Sequence, residues 1–339
     1  MAVIKKHPIL AGIGIGALLL VTIFLVLISL TPAKTPKTYG VTFSPFYAER
    51  FNVHWKDAYI AILDDLGVKH IRLSAYWNEV EKTERVFNFS DLDWQIQEAE
   101  KRNVDIVLAI GKKLPRWPEC HIPEWIEGLT PEEQHEKLLR YISETILRYR
   151  DSPAITLWQI ENEPLLPFGE CVHISEQELE NELAFVRALD SRPILITASG
   201  ELSFWTKEIK YADVFGSTLY RIVWNDSLKR HITYPLPSSF YRAKQTIARL
   251  FGGNKPMLVI ELQGESWNKK MTYELPIEEQ YISMNPERFQ GVLSYASRTG
   301  FDTFYLWGVE WWYWLKVTQD KPEMWDIAKE AIYNANIEK

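Results

Sequence analysis

The chain has 339 residues, with 45 acidic and 38 basic side chains and a net charge of −7. An acidic chain without a Lys/Arg-rich run is not typical of nucleic-acid-binding proteins, so no nucleic-acid partner is expected. Its two cysteines and seven histidines form no cluster with metal-ligand spacing, and we therefore expect neither a metal site nor a cofactor. The length suits one large domain or two modest ones.

The beginning of the chain has the pattern of a membrane anchor. Residues 1–8 contain two lysines, and the run Ile9–Leu30 carries no charge. Such a run can cross a hydrocarbon core of about 30 Å, and the preceding lysines predict a cytoplasmic N-terminus with the body on the outer side. A cleaved signal peptide is the alternative, although its apolar region usually has only about 7–15 residues. Residues 31–37 form a polar linker to the body, residues 38–339.

Eight short β-rich segments then alternate with helical patterns, as expected for strands buried on both faces. The predicted strands are Tyr39–Ser44, His70–Ala75, Asp105–Ile110, Ile155–Ile160, Ile194–Ala198, Val214–Leu219, Met257–Ile260 and Thr303–Trp307. The predicted helices are Trp55–Leu66, Asp91–Arg102, Pro131–Arg150, Glu176–Leu189, Phe240–Phe251, Pro286–Thr299 and Met324–Ala335. This alternation predicts an α/β fold, a (β/α)8 TIM barrel. A doubly wound open sheet is the alternative, but no Gly-rich phosphate loop follows the first strand.

Candidate functional residues follow the carboxyl ends of the predicted strands, where barrels of this kind place their sites. Glu163 follows the fourth strand and Glu261 the seventh, so the two side chains can meet across the mouth. A pair of carboxyl groups about 5–5.5 Å apart is what cleavage of a glycosidic bond with retention requires. The strand ends are rich in carboxylates and indoles, a composition that suits a neutral sugar ligand. The other candidates are Arg72, Trp77, Trp117, Asn162, Tyr220, Glu265, Trp267, Trp307 and Glu310.

Three features of these segments stay open. Along a regular strand Asn162 and Glu163 cannot both point inward, and a bulge at the strand end would resolve this. Glu161 shares the face of Glu163 only if the strand is regular there. Glu265, four residues beyond Glu261, is a rival nucleophile.

The two cysteines follow neighbouring strands of the predicted barrel. Cys120 lies in the loop after the third strand and Cys171 in the loop after the fourth. Outside the cytoplasm such a pair can form a disulfide, which would tie the two loops together.

The motifs at the strand ends resemble clan A of the glycoside hydrolases. Asn162-Glu163-Pro164 resembles the clan's acid/base signature, and LVIELQGES, which contains Glu261, resembles its nucleophile strand. The resemblance implies Glu163 as acid/base, Asn162 as donor to the sugar 2-hydroxyl and Glu261 as nucleophile. It also implies that Arg72 and Tyr220 contact the nucleophile and that the Trp307 ring forms the floor of the site.

The resemblance extends over Tyr39–Ala335 and is nearest to the cellulase-like family 5, although families 39 and 42 share much of the pattern. It implies a retaining glycosidase with a carbohydrate substrate, or a transglycosylase acting on cell-surface glycans. A non-catalytic sugar-binding barrel is an alternative, but it would be expected to have lost a carboxylate. A metal-dependent barrel hydrolase would carry His-x-His after the first strand, where Thr42 and Ser44 stand instead.

Overall fold

The computed structural model describes residues 38–171 and 173–337, together with Gly14, Gly16, Leu19 and Thr22. The strands are β1 (Thr38–Thr42), β2 (His70–Ser74), β3 (Asp105–Ile110), β4 (Ile155–Ile160), β5 (Ile194–Ala198), β6 (Val214–Leu219), β7 (Ile222–Asn225), β8 (Arg230–Thr233), β9 (Met257–Gln263) and β10 (Thr303–Trp307). The α-helices are α1 (Pro45–Arg50), α2 (Trp55–Asp64), α3 (Trp77–Val80), α4 (Ser90–Glu100), α5 (Pro131–Tyr149), α6 (Glu176–Leu189), α7 (Glu208–Tyr211), α8 (Ser238–Gly252), α9 (Ile277–Ser283), α10 (Pro286–Ala296), α11 (Val309–Thr318) and α12 (Glu323–Ile337).

Eight parallel strands close into a barrel in the order β1-β10-β9-β6-β5-β4-β3-β2, while β7 and β8 form a separate antiparallel hairpin. The predicted TIM barrel is therefore confirmed, and the open sheet is excluded. Five of the eight barrel strands have the predicted bounds. The seventh barrel strand, β9, continues to Gln263, so Glu261 lies within the strand and not after it.

The barrel is filled by side chains that point inward from several strands, as in packed parallel barrels. Val107, Leu195, Leu258 and Tyr305 form one buried cluster inside it. Gly40 on β1 makes room for this layer, since a Cβ at that position would lie 2.9 Å from the Tyr305 ring and 2.6 Å from a backbone oxygen of β2. The interior is thus a packed core, and the functional groups are confined to its rim.

The helices begin where local signals place them. Thr130 accepts a hydrogen bond from the backbone N–H of Glu133, whose carboxylate in turn accepts from the Thr130 N–H, a capping box at the start of α5. Ser175 and Glu178 cap α6 in the same way. Five helices, α1, α3, α7, α9 and α11, and the β7–β8 hairpin are additional to the prediction. Four of these helices, all except α11, have only four to seven residues, which is too short to show a periodic pattern.

Most of the predicted membrane anchor lies outside the described residues. Its four described positions, Gly14, Gly16, Leu19 and Thr22, are helical and exposed. Within the described part of the chain, no helix is both long and apolar enough to span a bilayer.

Candidate active site

The Glu261 carboxylate is held at the mouth of the barrel by two donors from other strands. Arg72 on β2 donates from Nη1 to Glu261 Oε1 at 2.7 Å, and the Tyr220 hydroxyl donates to Oε2 at 2.8 Å. Arg72 is fully buried and also donates to Gln159 Oε1 at 2.8 Å and Asn162 Oδ1 at 2.7 Å. The ion pair with Arg72 and the hydrogen bond from Tyr220 therefore fix the position of the Glu261 side chain.

The end of β4 turns sharply, and this resolves where its polar side chains point. Glu161 and Glu163 have φ of 59° and 45°, in the left-handed region that costs a residue with a Cβ about 1–3 kcal/mol. Glu161 points sideways and accepts the backbone N–H groups of Lys112 and Lys113 at 2.9 and 2.6 Å. Asn162 and Glu163 both face the mouth. Glu161 is thus an internal acceptor that shapes the β3 loop.

Glu163 and Glu261 have a common neighbour, Thr218, which places their side chains beside each other. Thr218 on β6 pairs with Glu261 in the β6–β9 register, and its hydroxyl donates to Glu163 Oε1 at 3.3 Å. The backbone N–H of Glu163 donates to Thr197 Oγ1 at 2.8 Å, which fixes the turn. Both carboxylates are nearly closed off from solvent, with 6% and 5% exposure.

Burial and neighbouring charge keep Glu163 protonated. Burial raises the pKa of Glu163 well above its usual value, and the charges of Glu119 and Glu261 raise it further. Glu119 is itself buried, which raises its pKa to about 7 even though Lys113 Nζ lies 3.5 Å away and lowers it. The environment of Glu163 therefore favours its protonated form, as a general acid requires.

A second buried cluster surrounds Arg116, in the loop after β3. Its Nη1 donates to Glu265 Oε2 at 2.6 Å and its Nη2 to Glu310 Oε2 at 2.5 Å. Its guanidinium lies between the rings of Tyr47 and Trp307, 3.7 and 4.0 Å from their centroids. Glu265 and Glu310, predicted from the sequence to contact a ligand, are thus paired internally with Arg116. The Arg116 guanidinium also covers one face of the Trp307 ring.

Burial raises the pKa of Glu310 to about 7, although the Arg116 charge lowers it. Glu310 also accepts the backbone N–H of Ser44 at 2.7 Å. It lies in the first turn of α11, not in a loop. The Arg116 cluster therefore ties the β1, β3, β9 and β10 ends of the rim into one rigid wall beside the catalytic candidates.

Aromatic rings cross the mouth from one loop to another. Trp117 contacts Phe168 with 6.2 Å between centroids, Phe168 contacts Trp267 at 6.1 Å, and Trp267 contacts Tyr220 at 4.8 Å. Trp117 and Phe168 are exposed, and Trp267 is partly exposed. We call Trp117, Phe168 and Trp267 the aromatic arch. Its rings lie over the approach to Tyr220 and Glu261, where the apolar face of a sugar can stack.

Trp77 does not belong to the site. It is 1% exposed, stacks on Tyr141 with 5.5 Å between centroids, and donates from Nε1 to Glu81 at 2.8 Å. The prediction that Trp77 contacts a ligand is wrong because the chain turns into α3 directly after β2, which directs this indole into the core.

Cys120 and Cys171 form a disulfide in the structure. The bond joins the β3 and β4 loops, which carry Trp117 and Phe168 of the aromatic arch. The covalent link therefore limits how far these two rings can separate.

Two site residues were present in the sequence but received no role. Glu119 acts on the charge state of Glu163, and Arg116 pairs Glu265 with Glu310. Their common signal is a left-handed backbone, with φ of 80° at Arg116 and 60° at Glu119. Together with Glu161 and Glu163 they make up four of the ten non-glycine residues with positive φ in the described chain. Such strain gathers at functional sites, but it cannot be read from residue types.

Among residues 38–171 and 173–337, no group of His, Cys, Asp and Glu side chains could hold a metal ion. No protein-family model matches the chain, and no curated protein matches it.

The structural neighbours of the chain are glycosidases. One is a GH5_18 protein from Streptomyces cattleya in complex with GlcNAc, with a TM-score of 0.62 and 16% identity over 91% of this chain and 82% of that chain. Another is a catalytic mutant of Gan42B, a GH42 β-galactosidase from G. stearothermophilus, with a TM-score of 0.63 and 14% identity over 90% of this chain and 57% of that chain. A third is xylanase 10B from Thermotoga petrophila RKU-1 in complex with xylobiose, with a TM-score of 0.52 and 14% identity over 80% of this chain and 82% of that chain.

The chain spans 51%, 53% and 58% of the length of three further β-galactosidase structures that it matches. At sequence identities this low the likeness concerns the fold. The chain shares the (β/α)8 barrel of these glycoside hydrolases.

Proposed function

We propose that the protein is a retaining glycoside hydrolase, with Glu261 as nucleophile and Glu163 as acid/base. The observation that carries this proposal is the contrast between the two carboxyl groups. Glu261 is paired with Arg72 and Tyr220, whereas burial and two neighbouring carboxylates raise the pKa of Glu163. A fixed anion beside a protonated acid is what double displacement at an anomeric carbon needs.

In the first step, a Glu261 oxygen attacks the anomeric carbon while Glu163 donates its proton to the departing glycosidic oxygen. The C–O bond to the leaving group breaks as the glycosyl ester forms. The negative charge of Glu261 is thereby lost, which removes one of the charges that raise the pKa of Glu163. Glu163 is then suited to take a proton from the water that hydrolyses the ester.

Asn162 and the aromatic arch are the proposed substrate contacts. The Asn162 carbonyl oxygen already accepts from Arg72 at 2.7 Å and Gln159 at 3.3 Å, which leaves its amide nitrogen to donate to a sugar hydroxyl. The rings of the aromatic arch can stack on the sugar that lies beyond the cleaved bond, toward the outside of the mouth. A neutral oligosaccharide or polysaccharide with a β-linkage fits this arrangement of one amide, two carboxyl groups and stacked rings.

A panel of aryl β-glycosides tests this proposal, with release of the aryl group as the readout and NMR of the first-formed sugar as the stereochemical assay. We expect turnover of at least one β-glycoside with the β-anomer formed first. An α-anomer formed first would contradict the double-displacement mechanism.

Replacing Glu119 by glutamine is expected to shift the pH dependence of activity. The charge of Glu119 helps to raise the pKa of Glu163, so the Glu119→Gln variant should have a lower Glu163 pKa. Because the acid must be protonated, the basic limb of the kcat/KM profile should move to lower pH. Glu79→Gln is the control, since Glu79 pairs with Lys82 on the surface. A basic limb that stays in place, or moves to higher pH, would show that Glu119 does not act on the acid.

We further propose that the segment Ile9–Leu30 anchors the chain in a membrane with the barrel on the outer side. The two lysines that precede it favour this orientation. The Cys120–Cys171 disulfide supports it, because disulfides persist in oxidising compartments. The substrate would then be a glycan outside the cytoplasm.

A further inference from the structure

The outer side of α8 is apolar and uncovered. Ile247, Leu250 and Phe251 are 39%, 81% and 56% exposed, and their spacing of i, i+3 and i+4 places them on one stripe. The buried side of the helix, with Tyr241 and Ala248, packs against the barrel. Adjacent exposed apolar side chains of this size indicate contact with another molecule or with a membrane.

The loop that follows β5 extends this surface. Lys244 Nζ donates to the backbone oxygens of Gly200 and Ser203 at 2.6 and 2.5 Å, which holds the loop along α8. Leu202 and Phe204 in that loop are 63% and 86% exposed. The five residues Leu202, Phe204, Ile247, Leu250 and Phe251 are called the α8 face below.

The α8 helix and the segments that flank it in the sequence are cationic, although the chain as a whole is acidic, and the acidic side chains near Lys255 are Asp213 and Asp302. No Asp or Glu occurs from Ser227 to Ile260, whereas Arg242, Arg249 and Lys255 lie on or beside α8. In α7, which follows the loop after β5, Glu208 is buried and Lys210 is exposed. A cationic surface with apolar side chains at its centre matches an anionic lipid surface, which attracts Lys and Arg side chains near it.

The first strand of the barrel, β1, begins close to the carboxyl end of α8. The backbone N–H of Thr38, the first residue of β1, donates to the Asp302 oxygen at 3.1 Å, and Thr38 pairs with Thr303. Asp302 and Thr303 line a surface depression together with Arg249 and Lys255. The linker of residues 31–37 spans at most ~25 Å when fully extended. The proposed anchor therefore holds this end of α8 within reach of the membrane.

We infer that the α8 face rests on the surface of an anionic membrane, as a second contact beside the anchor. Leu250 and Phe251 enter the headgroup region, and Arg249 and Lys210 contact the lipid phosphates. The α8 face extends from the loop after β5, at the carboxyl ends of the strands, to Phe251, which lies toward the amino end of β9. The side of the barrel therefore rests on the bilayer, and the mouth opens along the membrane surface. The inference rests on the proposed anchor and adds an orientation to it.

A single fluorophore on the α8 face tests this orientation. The only two cysteines of the sequence are joined in the disulfide, so Phe251→Cys gives one reactive thiol in the full-length chain. Leu147→Cys is the matched control, because Leu147 is an apolar residue that is 44% exposed on α5, away from α8. Each labelled chain is inserted into lipid discs of phosphatidylcholine with or without phosphatidylglycerol, and quenching by aqueous iodide and by doxyl lipid is measured.

We expect the label at position 251 to be protected from iodide and quenched by doxyl lipid, more strongly with phosphatidylglycerol, while the label at position 147 remains open to iodide. Lys210→Glu with Arg249→Glu should restore iodide quenching at position 251 and leave turnover of a soluble aryl glycoside unchanged. Equal iodide quenching at both positions in a chain that stays in the discs would overturn the inference. Protection that persists in detergent and increases with protein concentration would also overturn it, in favour of self-association. Release of the chain from the discs by alkaline carbonate would instead refute the anchor.

Discussion

Replacing Glu261 by alanine is expected to lower kcat by roughly 10⁴-fold or more, the scale seen when a covalent nucleophile is removed. The reason is that Arg72 and Tyr220 hold this carboxylate at the mouth, and no water in the cavity left behind would attack as an oriented carboxylate does. Azide should restore turnover of an aryl β-glycoside and give an α-glycosyl azide. Product NMR measures the outcome.

Glu163→Ala is expected to behave differently from Glu261→Ala. Loss of general acid catalysis costs about 10²–10⁴-fold for a poor leaving group and little for an activated aryl group, which departs without a proton. Azide should then give a β-glycosyl azide, because the ester with Glu261 still forms first.

The rival nucleophile provides the control for both variants. Both oxygens of Glu265 are engaged, one by Arg116 at 2.6 Å and the other by the Tyr47 hydroxyl. Glu265→Gln should therefore retain turnover. If Glu261→Ala stayed active while Glu265→Gln lost activity, the assignment of the nucleophile would be wrong.

Replacing Arg116 by methionine is expected to destabilise the fold by about 3–5 kcal/mol near pH 8, because it leaves buried carboxylates without their partner. Arg116 is 3% exposed and pairs with Glu265 and Glu310, which are 3% and 0% exposed. The free energy of unfolding in urea measures the effect. Arg148→Met is the matched control, since Arg148 also pairs with a carboxylate and lies over aromatic rings but has a side chain that is 46% exposed. Its loss should cost no more than about 1 kcal/mol.

The cost of Arg116→Met should also depend on pH. The pKa of Glu310 is about 7 in the folded protein, above its unfolded value, so its contribution to stability is present at low pH and is lost as the pH rises through about 7. Without Arg116 the pKa rises further, and the loss continues to higher pH. The difference in unfolding free energy between the variant and the parent should therefore stay nearly constant from pH 5 to about pH 7 and grow from pH 7 to pH 9. The range that tests the prediction is pH 7 to pH 9. A difference that is constant over this range would show that the carboxylates are not the cause.

The barrel and the positions of its two central glutamates could be predicted from the sequence because their signals are local. The short apolar strands and the helical periodicity each lie within about a dozen residues, and a parallel barrel brings every strand end to one rim. Glu163 and Glu261 reach that rim as expected, although β9 extends past the predicted end. Thr130 and Glu133 likewise define the start of α5 within four residues.

The tertiary structure decided which side chains at the rim pair with one another. Arg116 meets Glu265 and Glu310 across 149 and 194 residues of sequence, and a spacing of that size has no local pattern. The same is true of the direction of Trp77, which turns into the core because α3 begins directly after β2. The left-handed backbone at Glu161 and Glu163 costs energy locally. Hydrogen bonds of these two residues with Lys112, Lys113, Thr197 and Thr218 hold it in place. The sequence by itself determined which strands end in carboxylates, and only the packed rim decided which of these are buried in pairs and which face a substrate.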